Sequence, residues 1–328
     1  MSMQLTDSLG RNINYLRLSV TDRCNMRCFY CMPKEGVVNK GHGAILSYEE
    51  LLLIANTAVE MGIEKIRITG GEPLVRNGIL GFIDHLGRIP GLRHLALTTN
   101  GLKLPEMAHD LHIAGVQRLN VSMDSLKPQT FTDITRGADL TRVLAGLDAS
   151  EQAGFPPPKI NCVIMRGIND NEILDFAART LTHGNSIRFI EYMPAIREDG
   201  WQRYCISGTE ILERIADRHP LEQIDKGAFS GPSKDFRIPG AKGSIGIITA
   251  VSKHFCSECN RIRITSDGHA KGCLFSDDKT DLRPFLRPPD PDRLAEILRS
   301  IVSTKPDRHA ITDKGYSHIN FTMSQVGG

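Results

Sequence analysis

The chain has 328 residues, a formal net charge of +2 and 40% hydrophobic residues. That length can bury a sizeable core, as one large domain or one domain with an appendage, and the composition is that of an ordinary globular protein. A charge this near zero gives no whole-protein basic field, aromatics at 6% offer few stacking platforms, and no apolar run reaches membrane-spanning length, so neither nucleic acid nor a bilayer is an expected partner.

Residues 1–7 show no apolar signal core, so a cytoplasmic location is expected. In that reducing compartment, eight Cys point to metal or redox chemistry rather than disulfides. Residues 15–20 read as the first strand, with Arg17 and Ser19 on one face and Leu16, Leu18 and Val20 on the other. The strand runs into a segment that places Cys24, Cys28 and Cys31 at C-x3-C-x2-C spacing. Three thiolates on one short loop can hold three corners of an iron–sulfur cube, whereas a fully ligated [4Fe–4S] cluster takes four Cys. No fourth Cys follows before Cys162, which leaves one iron open to a small molecule. The alternative is a zinc site with a distant fourth ligand; zinc favours C-x2-C pairs with a partner pair downstream, and His42 is the nearest His and stands alone.

A helix is expected over residues 48–61, opened by the capping box of Ser47 and Glu50 and closed at Gly62. Residues 64–68 form the next expected strand, where Arg67 and Thr69 alternate with Ile66 and Ile68. Gly70-Gly71-Glu72-Pro73 follows; its glycines allow close backbone approach by a ligand, and Glu72 could accept hydrogen bonds from a cationic group. A lone motif of this kind also fits a tight turn. Further strands are expected at 94–98, 118–122, 159–163 and 186–191, with a helix starting near Pro105 and ending before Gly115. Pro156-Pro157-Pro158 stiffens the approach to the fifth strand.

Six strand–helix units in series imply a parallel sheet, either doubly wound or a partial TIM-type barrel. The informative residues cluster where the strands end: Cys24, Gly71, Thr98-Thr99-Asn100-Gly101, Ser122 and Glu191-Tyr192-Met193-Pro194. That clustering favours the barrel, which gathers function at its C-terminal strand ends. The expected fold is therefore α/β, an incomplete (β/α)6 barrel over 1–193 closed by a smaller α+β extension over 194–328.

In the extension, Ser207 and Glu210 open a helix, hairpins are expected at 243–251 and 261–273, the second turning at Asp267-Gly268, and Asp290-Pro291 opens a last helix to about Val302. A second thiol set, Cys256-x2-Cys259-x13-Cys273, occupies this region. Zinc, completed by His254 or His269, and a second iron–sulfur cluster both fit that spacing; two three-Cys sets on one chain move the balance toward two clusters. Cys162 and Cys205 belong to neither set and read as small core residues. Arg261 and Arg263 alternate with Ile262 and Ile264 beside the second set. Cations on the polar faces of several strands suggest a lumen for a polyanion such as a triphosphate, since guanidinium forks match phosphate oxygens.

With both Cys sets in view, the chain resembles the molybdenum cofactor biosynthesis protein A family, the GTP 3′,8-cyclases of the radical S-adenosylmethionine (SAM) superfamily. The likeness runs from about Leu9 to the C-terminus. It is carried by Arg17 through Asn25, Arg67 through Leu74, Thr98 through Gly101, Asn120 through Asp124, Glu191 through Pro194, Phe255-Cys256-x2-Cys259-Asn260-Arg261-Ile262-Arg263 and Gly327-Gly328. The resemblance implies an incomplete TIM barrel and two [4Fe–4S] clusters, one on Cys24, Cys28 and Cys31 and one on Cys256, Cys259 and Cys273. It further implies that Tyr30, Gly71, Ser122 and Met193 contact SAM, and that Arg17, Arg67, Thr98 (or its neighbour Thr99), Lys159, Arg261 and Arg263 contact GTP. The open iron of the second cluster would bind the guanine end, and the Gly327-Gly328 tail would reach the active site. The implied reaction is radical cyclisation of GTP to (8S)-3′,8-cyclo-7,8-dihydroguanosine 5′-triphosphate, an early step of molybdenum cofactor (molybdopterin) biosynthesis. The implied partners are a reductant such as a flavodoxin or ferredoxin and a downstream cyclic pyranopterin monophosphate synthase. A monomer or homodimer is expected.

Overall fold

The computed structural model describes residues 4–37, 42–193, 200–225, 231–253, 255–309 and 323–326. Six strands alternate with helices along the first part of the chain: β1 (Tyr15–Ser19), β2 (Lys65–Thr69), β3 (His94–Thr99), β4 (Arg118–Ser122), β5 (Lys159–Ile164) and β6 (Ser186–Glu191). The helices are α1 (Tyr48–Glu60), α2 (Ile79–Gly87), α3 (Leu104–Ile113), α4 (Pro128–Thr135), α5 (Leu140–Gln152) and α6 (Ile173–Thr182). The remainder carries α7 (Gly208–Ala216), β7 (Glu222–Ile224), β8 (Lys234–Arg237), β9 (Ser244–Ile248), β10 (Arg261–Ile264), β11 (His269–Lys271), β12 (Thr280–Asp281), α8 (Pro291–Ser303) and α9 (Met323–Val326).

Local sequence accounts for the boundaries. The Ser47 hydroxyl accepts from the Glu50 N–H at 3.2 Å while the Glu50 carboxylate accepts from the Ser47 N–H at 2.7 Å, so the capping box of α1 is complete. Helix α8 starts on Asp290, whose carboxylate accepts from the Arg293 N–H at 3.0 Å, with Pro291 in the first turn. Leu51, Ile54, Ala55 and Ala58 face the core from α1, and Leu294, Leu298 and Val302 from α8, which packs beside α1.

The twelve strands of the described residues join one sheet, ordered β12-β11-β10-β1-β2-β3-β4-β5-β6-β9-β8-β7. Strands β1 to β6 are parallel in sequence order; β10 adds to β1 in parallel and β9 adds to β6 in parallel. The extension thus supplies one parallel strand to each margin of the barrel. Among the described residues no pairing joins β12 to β7, so the barrel is open.

The expected hairpin at 261–273 is present as β10 and β11. The expected hairpin at 243–251 is absent: that segment holds the single strand β9, whose antiparallel partner is β8, ahead of it in sequence. Periodicity marks Ile245 and Ile247 as buried but carries no information about strand direction or partner. Strands β7 and β8 went unanticipated because they are three and four residues long and mostly polar.

Candidate active site

Two adjoining cavities occupy the lumen, the first at the C-terminal ends of the strands and the second along their N-terminal halves, where Tyr15, Lys65, Lys159 and Arg261 each begin a strand. The first has about 1110 Å³ of empty space, the solvent at its mouth included, and is lined by Cys24, Cys28, Cys31, Tyr30, Gly70, Gly71, Ser122, Asp124, Glu191 and Met193, among others. The second has about 850 Å³ on the same measure and is lined by Tyr15, Arg17, Lys65, Arg67, Lys159, Arg188, Arg261 and Arg263, with Asn120, Phe255 and Phe275. Thr98, Asn161, Ile190, Met193 and Met323 line both.

The loop after β1 is built so that its thiols face the first cavity. The carbonyl of Cys28 accepts from the N–H groups of Cys31 at 3.0 Å and Met32 at 3.2 Å, which curls the loop through a turn. The N–H groups of Arg27 and Phe29 bond the carbonyls of Thr135 and Ile134, pinning the loop to the end of α4. Asn100 donates to Asn25 Oδ1 at 2.7 Å and lies 3.8 Å from the Cys24 sulfur. Gly70-Gly71 admits this loop on one side and lines the first cavity on the other. The Gly71 N–H donates to the Thr21 carbonyl at 2.7 Å, and a Cβ on Gly71 would stand 2.4 Å from the Arg23 oxygen. Glu72 is likewise taken up internally. Its carboxylate accepts from the N–H groups of Leu74 at 3.0 Å and Asn100 at 2.7 Å and from the Thr99 hydroxyl at 2.9 Å, and the positive charge of Lys103 acts on it as well. Burial pushes Glu72 up to about 7.

Burial likewise pushes the thiols of Cys24 up to about 11 and Cys31 to about 12, and Cys28 well above its usual range. Such thiols stay neutral until a cation displaces their protons, as a metal does. Tyr30 donates to Asp124 Oδ2 at 2.6 Å, and Asp124 Oδ1 accepts from the Val163 N–H at 2.8 Å. Asp124 thus ties the Cys loop to β4 and β5. Glu191 does comparable work at the end of β6: it accepts from the N–H groups of Gly208 at 2.7 Å and of Val251 and Ser252 at 2.8 Å. Met193 is described, whereas Pro194 lies outside the described residues.

Strand register assembles the second cavity. Arg263, Arg17 and Arg67 stand side by side on β10, β1 and β2; Arg261, Tyr15 and Lys65 form the next row. Thr98, Asn120 and Lys159 align across β3, β4 and β5. No carboxylate is among the described lining residues. Burial and mutual repulsion act on these cations: Lys159 falls to about 7 through burial and then Arg188 and Arg67, Lys65 to about 8 mainly through burial, and Arg263 well below its usual range through burial and then Arg17. Tyr15 is brought down to about 6 against its burial, because Arg67, Arg17 and Lys65 surround its oxygen and Arg67 Nε donates to it. Among the described residues the buried Asn120 Oδ1 and Asn161 Oδ1 accept no hydrogen bond and Arg188 Nε donates none, so the cavity offers acceptors to the donor groups of a ligand and a guanidinium to its anionic part.

Every residue that the resemblance assigned to SAM or GTP lines one or the other of these cavities. Lys65, Arg188, Tyr15 and Asp124 were not anticipated. Lys65 and Arg188 carried the same alternation as Arg17, so their signal was in the strands. The role of Tyr15 depends on cross-strand register, which one strand does not reveal.

Cys256, Cys259 and Cys273 are close enough that charge on Cys273 and Cys259 bears on the Cys256 sulfur, and they sit beside the second cavity, flanking Phe255, Arg261 and Leu274 of its lining. Burial opposes ionisation of Cys259, but Arg261 and Lys305 bring it down to about 6. Of the His residues proposed to complete a zinc site, His269 approaches the Asp267 carboxylate at 3.1 Å, and His254 lies outside the described residues. Among the described residues no trio of His, Cys, Asp or Glu converges on a single-ion site. Thiolate donors are the type an iron–sulfur cluster takes, one per iron. Cys162 is buried in the core and Cys205 is half-buried, apart from both sets. Gly327-Gly328 lies outside the described residues, although Met323, a few residues before it, lines both cavities. Among the described residues no helix is long and apolar enough to cross a membrane.

Two family profiles match the chain. The Radical SAM superfamily profile matches residues 18–179, and that of Molybdenum Cofactor Synthesis C matches residues 185–311. The GTP 3′,8-cyclase of Geobacter sulfurreducens is 60% identical over 326 residues, spanning 99% of this chain and 100% of that protein. The GTP 3′,8-cyclase of Moorella thermoacetica is 44% identical over 325 residues, with 99% and 100% covered. Streptococcus suis SuiB, solved bound to S-adenosylmethionine, aligns with a TM-score of 0.60 at 12% identity over 84% of this chain and 62% of that one, a likeness of fold alone.

Proposed function

The chain belongs to the family of GTP 3′,8-cyclases, radical SAM enzymes of early molybdenum cofactor biosynthesis, and from that premise we propose how its residues divide the reaction. The chain is a lyase that cyclises GTP to (8S)-3′,8-cyclo-7,8-dihydroguanosine 5′-triphosphate. Cys24, Cys28 and Cys31 hold the iron–sulfur cluster that binds SAM. Tyr30, Gly71, Ser122 and Met193 contact SAM in the first cavity. Arg17, Arg67, Thr98, Lys159, Arg261 and Arg263, joined by Lys65 and Arg188, hold GTP in the second. Cys256, Cys259 and Cys273 hold a second [4Fe–4S] cluster at the guanine end. The functional division falls at 193/194, with the SAM-cleaving barrel before it and the second cluster after it.

When bound, the first cluster and SAM supply one-electron radical chemistry; the protein supplies orientation and a dry site. The cations fix the triphosphate by charge-assisted hydrogen bonds, which anchors the nucleotide at one end. Ile190, Met193 and Met323 line the junction, where apolar side chains exclude water from the reacting atoms. Thr98 and Asn161 reach both cavities and set the approach of ribose to cofactor. The electron comes from a reductant of the flavodoxin or ferredoxin type, and the product passes to a cyclic pyranopterin monophosphate synthase. The protein acts as a monomer or homodimer in the cytoplasm.

The observation that carries this reading is the junction itself: a thiol-lined cavity opens into a cation-lined one, and five residues belong to both walls. The test is anaerobic reconstitution followed by incubation with SAM, dithionite and each nucleoside triphosphate in turn. 5′-Deoxyadenosine and a cyclised product are expected with GTP. Absence of both with GTP, from protein loaded with iron, would refute the reading.

A further inference from the structure

The second Cys set comes from two arms of the sheet: Cys256 and Cys259 precede β10, and Cys273 follows β11. The stretch after α8 binds these arms together. Lys305 is 5% exposed, and its ammonium donates to the carbonyls of Arg261 at 3.1 Å and Gly272 at 2.5 Å. Arg261 lies two residues beyond Cys259, and Gly272 immediately precedes Cys273. One ammonium therefore spans both thiol-bearing arms. Arg11 braces the same stretch from the other side, donating to the carbonyls of Cys256 at 2.7 Å and Pro306 at 2.8 Å.

The two cations differ in charge balance. Arg11 is paired with the buried Asp7 carboxylate at 2.5 Å. Among the described residues no carboxylate pairs with Lys305, whose charge acts on the Cys256 and Cys259 sulfurs. A buried cation held only by carbonyl dipoles is costly unless an anion lies beside it. A [4Fe–4S] core of charge 2+ bearing three thiolates is net negative, and one further electron makes it more so.

We propose that Lys305 is a positioning residue for the second cluster: it sets the spacing of the two ligand arms and supplies the buried positive charge that favours the cluster's reduced form. This inference rests on the reading of Cys256, Cys259 and Cys273 as cluster ligands. Gln at position 305 keeps a donor and loses the charge, whereas Arg keeps both, so the two variants separate charge from hydrogen bonding.

The measurement is an electron paramagnetic resonance redox titration, with iron counts, of Lys305→Gln and Lys305→Arg. Both are made in a Cys28→Ser background so that only the second cluster contributes signal. Lys305→Gln should retain iron and shift the reduced-to-oxidised ratio at fixed potential about tenfold toward oxidised, which is about 59 mV for one electron. Lys305→Arg should keep the parent midpoint. Loss of iron in the Gln variant with full retention in the Arg variant also supports the charge role. Full iron and an unshifted midpoint in the Gln variant overturns it, as does loss of iron from both variants, since shape alone would then decide. Cys256→Ser in the same background serves as control. If that variant keeps all its iron, the cluster reading falls rather than the role of Lys305.

Discussion

GTP binding at pH 8 should draw protons into the barrel. Unliganded Lys159, at about 7, and Lys65, at about 8, are held down first by burial and then by neighbouring cations, with Tyr15 opposing at Lys65. At pH 8 they carry about one tenth and about half of a proton respectively. A triphosphate among them supplies the opposite charge that favours both ammonium forms, so binding restores about 1.4 protons to the pair. Tyr15, at about 6, is a phenolate at that pH. A triphosphate that takes over Arg17 and Arg67 returns it to the phenol and adds up to about one more proton. The sign is definite: a lysine whose pKa rises on binding favours binding below its free value, so affinity falls as pH climbs from about 7. Near pH 8 the binding constant should drop by roughly 1.4 decades per pH unit, and by up to about 2.4 if Tyr15 takes up its proton as well. Isothermal calorimetry in buffers of low and high ionisation enthalpy counts the protons directly. Lys159→Met should remove about 0.9 of them. Zero uptake or net release by the parent protein at pH 8, or unchanged uptake in the variant, would refute the argument. The same depression acts on folding without ligand. Lys159 has an ordinary value of 10.5, so between about 7 and that value the unfolded chain binds more protons and its contribution to stability rises with pH.

The other expectations concern the thiol sets, the cation row and the glycine pair. Cys28→Ser should abolish SAM cleavage, while Cys256→Ser should lose iron and cyclisation yet leave some uncoupled 5′-deoxyadenosine formation. Chromatography of both products decides, and full cyclisation by Cys256→Ser would exclude a substrate-binding role for the second set. Arg263→Ala should weaken GTP binding by about 1.5–3 kcal/mol, the worth of a charge-assisted hydrogen bond, and leave SAM affinity unchanged in calorimetry. Gly71→Ala should impair cluster loading at Cys24, Cys28 and Cys31, because the new Cβ would stand 2.4 Å from the Arg23 carbonyl and displace the loop. Normal iron content in that variant would show that the loop tolerates the shift.

Much of this site was legible in the chain because its signals are local. The C-x3-C-x2-C spacing, the capping box at Ser47 and the alternation around Arg17, Arg67, Arg261 and Arg263 each lie within a few residues. What escaped depends on partners far away in sequence. Arg11 and Lys305 look like ordinary surface cations until the fold sets them against Cys256 and Gly272. Tyr15 reads as a core aromatic until β2 and β10 bring Lys65 and Arg261 beside it. Gly70-Gly71 suggested a ligand's close approach; the pair does line the first cavity, but it also takes the chain's own backbone at Thr21 to Arg23, which the sequence did not show. Residues 243–251 show two buried isoleucines but not the partner strand or its direction, hence the expected hairpin where β9 runs singly.

The pairing of β10 with β1 also orders events during synthesis. Tyr15 and Arg261 are register partners, yet a ribosome adding about 5–20 residues per second needs on the order of tens of seconds to travel from one to the other. Once β2 has been made, β1 has β2 on one side and an unpaired edge on the other for the rest of that interval. The margin of the sheet beside the Cys24–Cys31 loop therefore stays uncovered until β10 docks. Cys256 and Cys259 lie just ahead of β10 and reach the sheet only with it, so the two thiol sets come into place at different stages of synthesis.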